Sequence, residues 1–171
     1  MVTFNKDLIG RLKSSIEFFD DFTDDELLAF LKLMKTEQYT EDAPIFKEFE
    51  EGDTMYIILK GEVKIHRRMG KKDGVDQDMT LAKLNSGECF GEMGLIDRRL
   101  RSASASAVTK TILFTISHDT LFKVSTNQNY SRLTAKLYRN FSKMLARRLR
   151  ESNDKFIDLS FKAQGKSELK S

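Results

Sequence analysis

The stretch FGEMGLIDRRLRSASASA, residues 90–107, sets one carboxylate, Glu92, between two glycines and then delivers three arginines and an Ala/Ser alternation. That order suits a small anionic ligand carrying a sugar, which needs open backbone amides, a fixed cation and an acceptor for a hydroxyl. Gly91 and Gly94 allow close backbone approach, and MGLI predicts a short helical turn whose N–H groups face an anion. Arg101 offers a guanidinium fork to two oxygens at once. Glu92 accepts from a hydroxyl and, being opposite in charge, offsets the burial of Arg101. Arg98 and Arg99 read as solvated loop charges, because only Arg101 stands next to the small-residue strand. In that strand Ala103, Ala105 and Ala107 form a tightly packed face opposite Ser102, Ser104 and Ser106.

Outward from this stretch, the texture from about residue 37 is short runs of β-branched and aromatic residues punctuated by Gly52, Gly61, Gly70, Gly74, Gly87, Gly91 and Gly94. MYIILKGEVKIHRR predicts two strands around Gly61, GKKDGVDQ a hairpin loop, and MTLAKL a further strand. TILFTI places Ile112, Phe114 and Ile116 on one face. Many short strands with regular turns predict an antiparallel β-roll or jelly-roll barrel rather than a parallel α/β sheet. Helices flank it, which makes the class α+β.

At the N-terminus, Leu8, Ile9, Leu12 and Ile16, then Leu27, Leu28, Leu31 and Met34, recur at helical spacing. The second run starts at TDDE, where Thr23 and Glu26 fit a capping box. After the short helix candidate HDTLFKV, residues 130–156 run without Gly or Pro, with apolar side chains at 133, 137, 141, 144, 145, 149 and 156. One helix of about 40 Å follows, longer than a small barrel covers, so its stripe is expected to meet a second copy. The expected divisions are N-terminal helices at 1–36, a β-roll at 37–117 with its key loop at 90–103, C-terminal helices at 118–156, and a frayed polar tail at 157–171.

Composition narrows the classes. Apolar residues make up 40% of the 171, with 13 phenylalanines, so the chain has enough to bury a core. The charge of +3, from 29 basic and 26 acidic residues, is too small to argue for nucleic acid or membrane. A single cysteine, Cys89, no signal-peptide pattern and no membrane-length apolar run predict a cytoplasmic protein. A cupin-type metal enzyme needs clustered His and carboxylate ligands, whereas His66 and His118 are isolated and read as surface groups. Cys89 reads as a small buried thiol. No metal or cofactor is expected.

The whole pattern resembles the cyclic nucleotide-binding domain family. FGEMGLIDRRLRSASA is similar to its phosphate-binding cassette. EEGDTMYIILKGEVKI is similar to its glycine-bounded hairpin, LAKLNSGECFGE to the entry into the cassette, and LARRLRESNDKF to the long helix along which relatives of the catabolite activator dimerise. The resemblance covers residues 15–156. It implies that Glu92 bonds the ribose 2′-hydroxyl and Arg101 the cyclic phosphate. It further implies that Ser102 adds a hydroxyl, that the amides around Met93, Gly94 and Leu95 complete the anion site, and that Gly61 and Val63 line it. Ser152 and Asn153 fall where such a helix reaches the base. Two departures stand out: Leu100 occupies a position where many members have Pro, and the loop IDRRL is charged and short.

The expected function is a non-enzymatic cyclic nucleotide receptor, for cAMP ahead of cGMP, which repacks its C-terminal helix and signals through a protein partner as a homodimer. Activator relatives carry a winged helix-turn-helix after the long helix, and residues 157–171 are too few for one, so DNA is not an expected partner. A ligand-independent dimerisation subunit, or a fragment of a transcription regulator or channel, keeps the same fold.

Overall fold

The computed structural model describes residues 6–72 and 75–168. The chain divides into two compact units, Met1–Thr134 and Ala135–Ser171, so the N-terminal helices, the strands and the short helix after them form one body. Helix α1, Lys6–Ser15, buries Ile9 and Leu12, and Ile16 follows into the same core. Helix α2, Asp24–Leu31, starts at the expected box: Thr23 Oγ1 accepts from the Glu26 amide at 3.3 Å and Glu26 Oε2 accepts from the Thr23 amide at 2.8 Å. It ends before Met34. Phe18, Phe19, Phe22 and Phe30 are all buried against one another, with the Phe19 and Phe22 rings 5.9 Å apart edge to face.

Among the described residues, eight strands make two antiparallel four-stranded sheets, the α+β jelly-roll architecture expected. The first holds β1 (Lys35–Tyr39), β8 (Thr111–Ser117), β3 (Thr54–Lys60) and β6 (Cys89–Phe90), in that spatial order. The second holds β2 (Pro44–Phe46), β7 (Ser104–Ala107), β4 (Glu62–Lys72) and β5 (Val75–Asn85). Tyr56, Ile58, Phe90 and Leu113 of the first sheet meet Val63 and Ala105 of the second in one buried cluster. Two such sheets bury their alternate residues against each other. Ala103, Ala105 and Ala107 are all buried, as the Ala/Ser alternation predicts.

Three expectations change. β8 is buried on both faces rather than one: Leu113 joins the inter-sheet cluster while Phe114 and Ile116 are also buried, and α4 (His118–Ser125) packs on this strand. The loop expected at 70–77 is largely strand, because β4 runs to Lys72 and β5 begins at Val75, with Gly70 at φ 100° inside a register shift between Arg68 and Lys71. Gly70 marks a bulge there, not a turn. Finally, α5 spans Ser131–Glu168, so the helix expected to stop near Phe156 continues for three more turns. Lys, Ala, Gln and Leu are good helix formers, and a single glycine costs a helix only about 1 kcal/mol. Leu149, Phe156, Ile157, Leu159 and Phe161 stand exposed along it.

Candidate functional site

The site is built by the chain's return from β6. β6 is held in its sheet by Tyr56 and Ile57, and Gly91 then turns left-handed at φ 76°. Helix α3, Glu92–Asp97, is closed by Arg98, also left-handed at φ 55°, whose amide donates to the Gly94 carbonyl at 3.1 Å. The following residues run towards β7, and their middle is gripped by the loop after β2. The Arg101 amide donates to the Glu50 carbonyl, and the Phe49 amide donates to the Arg101 carbonyl, both at 2.9 Å. Phe49 reaches this bond at φ 67°, a conformation uncommon for a bulky residue.

Held at both backbone groups, Arg101 sends its side chain inward and is 5% exposed. Nη1 donates to the Gly91 carbonyl at 3.1 Å, and the guanidinium carbon lies 4.2 Å from the centre of the Phe46 ring and 5.8 Å from that of Tyr56. Tyr56 is itself stacked on Phe90 at 4.9 Å. Three glycines make the room: a Cβ on Gly52 would fall 2.0 Å from Arg101 Nε, and one on Gly91 or Gly94 about 3 Å from Nη1. Arg101 Nε is buried and has no hydrogen-bond partner. Burial pushes the guanidinium down from its ordinary range, and the nearby Tyr56, Asp53, Glu50 and Glu92 pull it back up. An arginine remains charged regardless. The result is a desolvated cation with donors to spare, which is the chemistry of an anion seat.

Glu92 opens α3 and is buried at 3% exposure, near enough for its carboxylate to favour the charge of Arg101. Ser102 is exposed and, with Gly52, Asp53, Arg67, Arg99 and Arg101, lines a cleft of about 1040 Å³. Gly94 is buried against Arg101, while the Met93 side chain is 53% exposed. The Leu95 amide is spent within the helix, on the Gly91 carbonyl at 3.4 Å. Val63 lies in the inter-sheet cluster. Gly61, at φ 104°, turns the chain between β3 and β4, and its nearest neighbours are Thr111 and Lys110. Ser152 and Asn153 belong to the second unit and are exposed on α5.

The discounted residues have their own roles. Arg98 pairs with Asp119 at 3.1 Å and the Arg99 side chain is 86% exposed, so both are surface charges. The histidines are less superficial than expected. His66 sits between Asp78, 2.9 Å from Nδ1, and Ser106, 3.4 Å from Nε2, with its side chain 16% exposed. His118 Nδ1 lies 2.8 Å from the Leu95 carbonyl, so that nitrogen carries the proton and ties α4 to α3. Cys89 is buried. Among the described residues, no three His, Cys, Asp or Glu side chains gather as metal ligands, and no helix is long and apolar enough to cross a membrane.

Sequence reasoning missed Phe46, Glu50, Tyr56 and Gly52. Gly52 alone had a signal, since EEGD places a glycine directly before a buried strand. Nothing in PIFKEFE announces that Phe46 underlies an arginine 55 residues away.

The roll, the glycine-bounded cassette and its buried arginine define a class, and the family described as the cyclic nucleotide-binding domain matches residues 36–128. The chain belongs to that family. Among curated proteins it is similar to the "Cyclic AMP receptor protein" of Thermus thermophilus, 35% identical over 84% of this chain and 62% of that protein. It is also similar to "cGMP-dependent protein kinase 2" of Homo sapiens, 33% identical over 54% of this chain and 12% of the kinase. The chain thus spans about six tenths, or much less, of these relatives' lengths. Among solved structures, the Thermus thermophilus catabolite activator protein superposes with a TM-score of 0.71 at 33% identity, over 84% of this chain and 63% of that one. A cyclic nucleotide-binding domain from Methylobacillus flagellatus superposes at 0.74 with 28% identity, over 86% and 83%.

Proposed function

We propose that the chain is a non-enzymatic cytosolic receptor for a cyclic nucleotide, cAMP ahead of cGMP. The observation that carries this is Arg101: a buried guanidinium with an unpartnered Nε, walled by three glycines beside the buried Glu92. Such a cation is costly to hold in the interior and is rewarded when an anion reaches it. Arg101 takes the exocyclic phosphate oxygens, Glu92 the ribose 2′-hydroxyl, and Ser102 adds a hydroxyl from the cleft. The α3 amides of Met93 and Gly94, with Gly61 and Val63, are assigned as further lining. The preference for cAMP is supported by the breadth of the match to a protein named for cyclic AMP, against a shorter match to one named for cGMP.

Binding works as a switch by population shift. The nucleotide favours whichever arrangement of cassette and C-terminal helix gives it more contacts, with Ser152 and Asn153 assigned to the base. Moving a chain from mostly one state to mostly the other takes about 5.5 kcal/mol of differential affinity, within the roughly 8 kcal/mol of micromolar binding. Leu149, Phe156 and Ile157, exposed on α5, support a homodimer along this helix and a protein partner that reads its state.

Calorimetric titration with cAMP and cGMP, wild type beside Arg101→Ala, tests the reading. Wild type binds at least one nucleotide, and the substitution weakens binding by about 2 to 5 kcal/mol with folding preserved. A wild-type protein that binds neither, or a variant that binds as well, refutes it.

A further inference from the structure

We propose that Phe46 is the positioning residue of the anion site: its ring face carries the Arg101 guanidinium and fixes where the fork meets the ligand phosphate. The proposal rests on the cyclic nucleotide reading above and deepens it.

A planar guanidinium has two needs when buried. Its edges want acceptors and its face wants a surface that tolerates positive charge without competing for the edges. At Arg101 the edges are largely held in reserve, with Nη1 on the Gly91 carbonyl and Nε unpartnered. The face is supplied by Phe46 at 4.2 Å, inside the range of a cation–π contact, with Tyr56 farther off at 5.8 Å. The ring's electron-rich face attracts the cation without taking a donor, so Nε stays unpartnered while Nη1 is on the Gly91 carbonyl. A carboxylate in its place would consume those donors.

The fold makes this contact a designed one. Phe46 ends β2 and is paired in register with Ala105, in the strand that Arg101 leads into. Immediately after Phe46, the same loop bonds the Arg101 backbone through Phe49 and Glu50 and then closes on the side chain with Gly52. One segment, residues 46–52, therefore fixes both the backbone and the guanidinium. Phe46 is only partly buried, and its ring also packs 5.7 Å from that of Tyr56 and 5.9 Å from that of Phe90, where an apolar residue of similar volume keeps the bulk but not the ring contacts. What leucine lacks is the ring face. Aromatic identity at 46 therefore serves the arginine as well as the ring cluster.

The test compares wild type, Phe46→Leu and Phe46→Tyr. Phe46→Leu is expected to weaken cyclic nucleotide binding about tenfold, and Phe46→Tyr to recover most of that loss, while urea unfolding without ligand records separately what the leucine variant loses in ring contacts with Tyr56 and Phe90. A filler role would rank leucine and tyrosine by stability instead. Binding by Phe46→Leu equal to wild type overturns the positioning role, as does equal loss in the tyrosine variant. The seat is also read without any nucleotide, from the Arg101 Nε–Hε resonance, identified by its loss in Arg101→Lys. An upfield ring-current shift that collapses in Phe46→Leu supports the stacked seat, and an unshifted wild-type resonance overturns it. Wild type that binds no cyclic nucleotide but shows the shifted resonance refutes the nucleotide reading and leaves the seat standing for another anion.

Discussion

Gly52 lies so close to Arg101 that a methyl group on its α-carbon would stand 2.0 Å from Nε and 2.4 Å from the guanidinium carbon. The obstructed atoms belong to a long side chain, and Gly52 is not at positive φ, so alanine here displaces the arginine rather than the backbone. Gly52→Ala is expected to lower cyclic nucleotide affinity at least as much as a tenfold change, about 1.4 kcal/mol, while shifting the urea midpoint little. Titration and unfolding on the same preparation separate the two effects, and a variant that binds normally would show that Arg101 has room this structure denies it.

Gly94 gives the opposite case from the same neighbourhood. A Cβ there would meet the Gly52 carbonyl oxygen at 2.2 Å, and neither backbone can yield without moving α3 or the loop before β3. Gly94→Ala is expected to destabilise the fold by about 1 to 3 kcal/mol, the usual cost of forced overpacking. The measurement is the urea midpoint without ligand. A stable Gly94→Ala with intact binding would mean that α3 and that loop are not held together as described.

These two glycines also show where sequence legibility ends. Glu92, Gly94 and Arg101 were readable because they lie in one short stretch whose order matches a chemical task. Gly52 and Phe46 act on the same guanidinium but reach it through β2–β7 pairing, and no local pattern encodes that register. The same limit explains the strands. Capping at Thr23 and the small-residue face of β7 are local effects and came out as expected. Gly70 reads as a turn because a bulge and a turn use the same residue, and β8 reads as one-sided because Thr111 and Thr115, both buried, are polar.

The phenol of Tyr39 is pushed well above its ordinary value, first by burial and then by its hydrogen bond to Glu37, 2.6 Å away. Burial also raises Tyr56, against the pull of Arg101. A folded-state value above the unfolded one means that folding favours the protonated phenol. The stabilisation is fully present below the unfolded value, near pH 10, and is lost as the pH rises beyond it. Thermal unfolding is therefore expected to hold up to about pH 9 and fall above pH 10. Tyr39→Phe should fall less steeply over the alkaline range, and parallel curves for the two proteins would remove Tyr39 as a contributor.

Glu92 is buried at the first position of α3, one residue after the carbonyl that Arg101 holds. Its assigned task is to accept from the ribose 2′-hydroxyl, which an ionised carboxylate does more strongly than a neutral amide. Glu92→Gln keeps the shape and an acceptor oxygen but removes the charge, so the loss is expected to be about 1 to 2 kcal/mol for a ribonucleotide. A 2′-deoxy analogue offers no hydroxyl to lose, and wild type and variant should bind it with nearly equal affinity. Calorimetry of both proteins with both ligands closes a cycle whose coupling energy belongs to the carboxylate–hydroxyl contact. Equal losses for the ribo and deoxy ligands would take Glu92 away from the sugar and leave it only the electrostatic support of Arg101, which the glutamine variant no longer supplies.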